Sequence, residues 1–146
     1  MAGFHKLLLA IDLSPASASL IRRVIQMYPE DLGKIHVVHV IKTMMRVDED
    51  SGGEDVHDPD FQREKNFTTR KVLELLNSAG LGCAVDKFHL AYGEPSYHIK
   101  RLAREINADL VIVGSHIKED DWMHLPGATT NCVIQGISSD VMAVKV

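Results

Sequence analysis

Leu7-Leu8-Leu9-Ala10-Ile11-Asp12-Leu13-Ser14-Pro15 carries the reading of the fold. Five apolar residues without a break suit a strand buried on both faces, as in parallel sheets covered by helices, rather than a strand with one wet side. The run stops at Asp12. Ser14 then offers an N-cap hydroxyl and Pro15 the preset φ of a first helical position, and Leu20, Ile21, Val24 and Ile25 recur at helical spacing, which predicts a helix over 15–28. One strand and one helix of this kind form the repeating unit of a doubly wound sheet.

The same alternation continues outward from that unit. Ile35 to Ile41 and Asp109 to Val113 are further β-rich runs, and Cys83 to Leu90 is a weaker, more alternating one that belongs nearer a sheet edge. Val141 to Val146 closes the chain as a fifth strand. Asp58-Pro59 opens a helix whose inner face is Val72, Leu75, Leu76 and Ala79, with Gly80 at the C′ position. Pro95 opens another, with Ile99, Leu102, Ala103 and Ile106 at i, i+3, i+4 and i+7. A fourth helix, 128–137, places Thr130, Val133, Ile134 and Ile137 inward. The expectation is an α/β fold: an open, doubly wound, five-stranded parallel sheet in the order 3-2-1-4-5 with helices on both faces. Such a sheet binds ligands where strand order reverses, here between the end of strand 1 at Asp12 and the end of strand 4 at Gly114.

The chain has 146 residues, 45% of them apolar and 25% charged, which fits a single domain over 1–146. Sixteen basic against twenty acidic residues leave a net charge of −4, without the basic excess that binding a phosphate backbone leaves in a sequence. Nucleic acid is therefore not an expected partner. The longest early apolar run is cut at Asp12, too soon for a signal peptide, and no stretch approaches a membrane span, so a cytoplasmic protein without a membrane partner is expected. Cys83 and Cys132 have neither disulfide-framework nor zinc-module spacing. Residues 46–60, RVDEDSGGEDVHDPD, are strongly acidic and aperiodic, and read as a mobile, solvated loop.

Motifs for committed chemistry are missing or misplaced. Ser51-Gly52-Gly53-Glu54-Asp55 resembles a pyrophosphate loop but follows strand 2 instead of strand 1, and the calcium register from Asp48 fails at Gly52 and Pro59. His36 and His39, at i and i+3 on a strand, point to opposite faces and are not expected to share an ion; His116 and His124 lie in one loop without a third ligand at diagnostic spacing. No metal site, nucleophile or catalytic residue is assigned, and no enzymatic activity is expected. Gly114-Ser115-His116-Ile117, followed by Gly127-Ala128-Thr129-Thr130 at the start of the fourth helix, has the parts of a phosphate cradle; the alternative is that Gly114 merely ends a strand and Gly127 merely turns the chain.

Ala10-Ile11-Asp12-Leu13-Ser14 after the first strand, His39-Val40 in the second, and Asp109 to His116 (DLVIVGSH) before a helix and a terminal strand resemble the universal stress protein family over essentially the whole chain. The resemblance implies a stress-response or regulatory protein with a nucleotide crevice lined by Ile11, Asp12, Val40, Gly114, His116, Gly127, Ala128 and Thr129. In ATP-binding members Asp12 and the main chain at Val40 would hold the adenosine end. The family's signature, G-x2-G-x9-G followed by Ser or Thr, is met at Gly114 and Gly127 but not at Ile117 or Ala128, and a tryptophan, here Trp122, marks the non-binding branch. Weak or absent ATP binding is therefore expected. The alternative is an ATP-binding switch in which ATP with Mg²⁺ bridges strands 1 and 4. The resemblance also implies a homodimer through the terminal strand, Val141, Met142, Ala143, Val144, Lys145 and Val146.

Overall fold

The computed structural model describes residues 3–41, 59–115, 133 and 135–146. Its strands are β1 (Leu7–Ile11), β2 (Ile35–Ile41), β3 (Phe88–Tyr92), β4 (Leu110–Ser115) and β5 (Asp140–Lys145). They form one sheet in the order β3-β2-β1-β4-β5, with every neighbouring pair parallel. Among the described residues the helices are α1 (Ala16–Met27), α2 (Pro59–Ala79) and α3 (Pro95–Glu105).

The unbroken apolar run of β1 makes it the central strand. Leu7, Leu8 and Leu9 are all at 0% exposure, and each Leu so buried contributes about 1.5–3 kcal/mol. Leu7 and Leu9 join Leu20, Ile21 and Val24 of α1 and Val72 and Leu76 of α2 on one face. Leu8 joins Val38, Ile99 and Ala103 on the other, where Leu102 and Ile106 pack at the margin and Val133 is buried. Two cores back to back, one per face, are what a doubly wound sheet requires.

Local chemistry sets the element ends. The α2 helix stops in a Schellman motif: Leu81 N–H donates to Leu76 O at 2.8 Å and Gly80 N–H to Asn77 O at 3.4 Å, with Gly80 at φ +95°. At the amino edge of the sheet the Asp109 carboxylate accepts the main-chain N–H groups of His5 at 2.7 Å and Lys6 at 2.8 Å. Burial works to raise its pKa, but the His5, Lys6 and Asp109 amides and the His5 charge outweigh it and hold the carboxyl below its usual 3.8.

Several boundaries differ from those expected. The third strand begins at Phe88 and runs to Tyr92; Gly82–Lys87 is a 3-10 turn. Ala84 N–H donates to Leu81 O at 3.0 Å and both residues are fully buried, so the segment has a period of three where its composition suggested two. β3 is an edge strand, as expected. β4 extends through Gly114 to Ser115, and β5 starts at Asp140 and ends at Lys145. Pro59 and Asp60, placed in the acidic loop, belong to α2; residues 46–58 lie outside the described residues. So does most of the expected fourth helix. Gln135 and Gly136 form a turn and Ile137 is not helical, so that helix cannot reach 137.

Candidate functional site

The order β3-β2-β1-β4-β5 places the reversal between β1 and β4, whose register runs from Leu7↔Leu110 to Ala10↔Val113. One residue beyond that register lie Ile11 and Gly114, and Ile11 is paired on its other side with His39. Ile11, Asp12, Val40 and Gly114 are therefore brought to one carboxyl edge of the sheet, at the place where such folds bind ligands.

Asp12 is the fixed point of that edge. Its Oδ1 accepts Ser14 N–H at 3.0 Å and Ser17 Oγ–H at 2.8 Å, an Asx turn reinforced by the first turn of α1. Ser17 N–H donates to Ser14 O at 3.0 Å. Between them Leu13 takes a left-handed conformation, φ 57°, which costs a non-glycine residue about 1–3 kcal/mol and is typical of places where surroundings over-determine the backbone. The expected Ser14 cap is not made: α1 has no side-chain cap bond, and Ser14 Oγ is buried without a hydrogen-bond partner among the described residues. Asp12 instead closes the turn ahead of α1, its carboxylate reaching both Ser14 N–H and the Ser17 hydroxyl. Asp12 itself remains exposed.

His39 anchors the neighbouring strand. Its Nδ1–H donates to Ile11 O at 2.9 Å, so the carbonyl immediately before Asp12 is held by a side chain only 9% exposed. His36 instead meets His89, so the two histidines of β2 serve different faces, as their spacing predicted. Val40 packs at the margin of the α3-side core, and Ile41 O accepts Gly93 N–H at 2.9 Å. Gly114 has a packing reason of its own: a Cβ there would lie 3.3 Å from both Leu20 Cδ2 and Val146 Cγ2. It stands inside β4 and does not end the strand. His116, Ile117, Gly127, Ala128 and Thr129 lie outside the described residues.

β5 pairs with β4 along one edge and is the last strand of the sheet. Val144 belongs to the α1-side core at 5% exposure, Val141, Met142 and Val146 are partly buried, and Ala143 and Lys145 are exposed. Among the described residues no three His, Cys, Asp or Glu side chains are grouped to hold a metal ion. No helix among them is long and apolar enough to cross a membrane.

The sequence places Asp12 directly after β1, where it lies, but does not announce the bonds around it: the Ser17 hydroxyl on its carboxylate and the His39–Ile11 bond beside it. An Asp followed by Ser at +2 and +5 was the available signal for the first; the second joins residues 28 positions apart and has no local signal.

Residues 3–145 match the sequence profile described as the Universal stress protein family. Universal stress protein A homolog 1 of Coxiella burnetii is 28% identical over 144 residues, covering 97% of this chain and 96% of the relative. Among solved structures, a universal stress protein in complex with cAMP superposes with a TM-score of 0.59 at 17% identity, covering 98% of each chain. The universal stress protein from Archaeoglobus fulgidus in complex with dAMP gives 0.57 at 15% identity, covering 96% of this chain and 97% of that one. At these identities the structural likenesses bear on the fold.

Proposed function

The chain belongs to the universal stress protein family, and from that premise we propose that it is a non-catalytic, homodimeric regulatory protein whose β1–β4 crevice takes the adenosine end of a nucleotide and disfavours a triphosphate. The observation that carries this reading is the Asp12 carboxylate, exposed at the crevice yet fixed by Ser14 N–H and Ser17 Oγ–H. An exposed carboxylate fixed at a strand's carboxyl end suits the hydroxyls of a ribose. The relatives solved with cAMP and dAMP carry a single phosphate, which supports the same ligand class here.

Three features of the sequence bear on the phosphate end. Ile117 stands where the family signature has glycine, and a β-branched side chain resists positive φ and adds bulk against a triphosphate. Ala128 removes a hydroxyl donor. Glu119, Asp120 and Asp121 add charge that repels ATP unless Mg²⁺ intervenes. The edge position of β5 supports pairing with a second copy across a two-fold axis.

Calorimetric titration with AMP, cAMP and Mg-ATP, together with chromatography of nucleotide released on denaturing freshly purified protein, tests the reading. Saturable binding of a monophosphate, weak or absent ATP binding, and loss of the signal in Asp12→Ala are expected. Co-purified ATP would overturn it in favour of the ATP-binding switch, for which the retained Gly114 to Gly127 spacing speaks.

A further inference from the structure

A second cluster of titratable side chains lies away from the crevice, toward the amino ends of β2 and β3. His36 precedes Val38 by two residues, and Val38 is in register with His89, so alternation puts both imidazoles on the α3 face of the sheet. His36 Nδ1 and His89 Nε2 are 3.2 Å apart. Their rings are nearly parallel, 19° between planes and 5.5 Å between centroids, and both are partly buried.

Proton number decides whether this contact survives. A neutral pair makes it by donating one N–H to the other ring's lone pair, and a single added proton leaves one ring still able to accept. A second proton leaves two cations face to face and no acceptor between them. The neighbouring charges sharpen the asymmetry: Lys6, beside β1, and Lys87, before β3, oppose a proton on His36, whereas Glu105 of α3 favours one on His89. Glu105 is also bound by Arg101 at 2.9 Å, which limits how far it can neutralise a doubly charged pair. Burial, followed for His36 by the His89, Lys6 and Lys87 charges, holds both imidazoles below their usual 6.5; Glu105 opposes this at His89. No third side chain among the described residues completes a metal shell here, so the ligand this geometry suits is the proton.

The location makes the pair consequential. Among the described residues β3 is an edge strand whose one ladder is to β2, and the histidines join those same two strands. We propose that His36 and His89 form an acid-operated latch, which holds β3 against β2 while the pair carries at most one proton and releases that flank when both rings are charged.

Histidine NMR titration of the full chain, with amide exchange followed over the same pH range, tests the latch. The two imidazoles titrate as a coupled pair in two steps. Protection of the Phe88–Tyr92 amides, taken relative to β1 amides and corrected for intrinsic exchange, falls at least about tenfold as the second step is crossed. His89→Gln abolishes that fall, and His36→Gln serves the same purpose should the first variant fold poorly. Independent titration of both rings near the ordinary value, or a β3-to-β1 protection ratio that stays constant across the second step, overturns the proposal. The wild-type measurement decides it without either variant.

Discussion

At the scale of single residues, Asp12 closes the turn before α1 through Ser14 and Ser17, and the proposed function gives it a second role, toward the ligand, that substitution can separate from the first. Ser17→Ala removes one 2.8 Å bond while leaving the carboxylate in place, so it should cost about 1 kcal/mol in urea unfolding and weaken nucleotide binding only partly. Asp12→Ala should cost about 1.5–3 kcal/mol, as for lost hydrogen bonds to a charged group, and abolish binding in the same calorimetric assay. Equal loss of affinity in both variants would mean that the turn, and not the carboxylate, is what the ligand needs. This residue was legible because it interrupts an apolar run at a strand's carboxyl end. The left-handed Leu13 was not, since a leucine carries no local signal for φ 57°, and only the bonds closing around it enforce that conformation.

At the scale of elements, ends were read well where punctuation is covalent. Pro59 and Pro95 open α2 and α3, and Gly80 closes α2. Gly80→Ala should therefore destabilise by about 1–2 kcal/mol through backbone conformation, since its new Cβ would meet only Ile25 Cδ1 at an ordinary 3.5 Å; thermal unfolding measures it. Ile35–Ile41 matched its strand residue for residue, whereas Cys83–Leu90 did not, because a 3-10 turn that buries only Ala84 and an edge strand draw on the same small apolar residues. For the proposed dimer, the exposure of β5 selects the variant. Val144 is part of its own subunit's core, so Val144→Asp should unfold the chain and says nothing about pairing. Ala143 is exposed, and near a two-fold axis Ala143→Glu sets like charges opposite each other. Sedimentation of that variant should show monomer with unchanged helicity; a persisting dimer would place the interface elsewhere.

At the scale of the whole molecule, acid should act in two stages. The folded state holds the pKa values of His36 and His89 below 6.5, so the unfolded chain binds more protons and stability falls as pH drops from about that value. Asp109 is held below 3.8, so its contribution is complete above that pH and is lost as pH falls through the lower folded value. Urea midpoints across the acid range should show the first decline disappear in the His36→Gln, His89→Gln double variant and the second in Asp109→Asn. The strand order has a further consequence, for synthesis. β1 is the first strand made, yet its partner β4 arrives late: the Asp109 clamp that joins their amino ends spans 103 positions. At roughly 5–20 residues per second, Leu7, Leu8 and Leu9 emerge from the ribosome several seconds before one flank of their strand can be covered. Three leucines that are wholly buried in the finished protein thus wait with one flank uncovered during its birth, and it is there that a chaperone would find its grip.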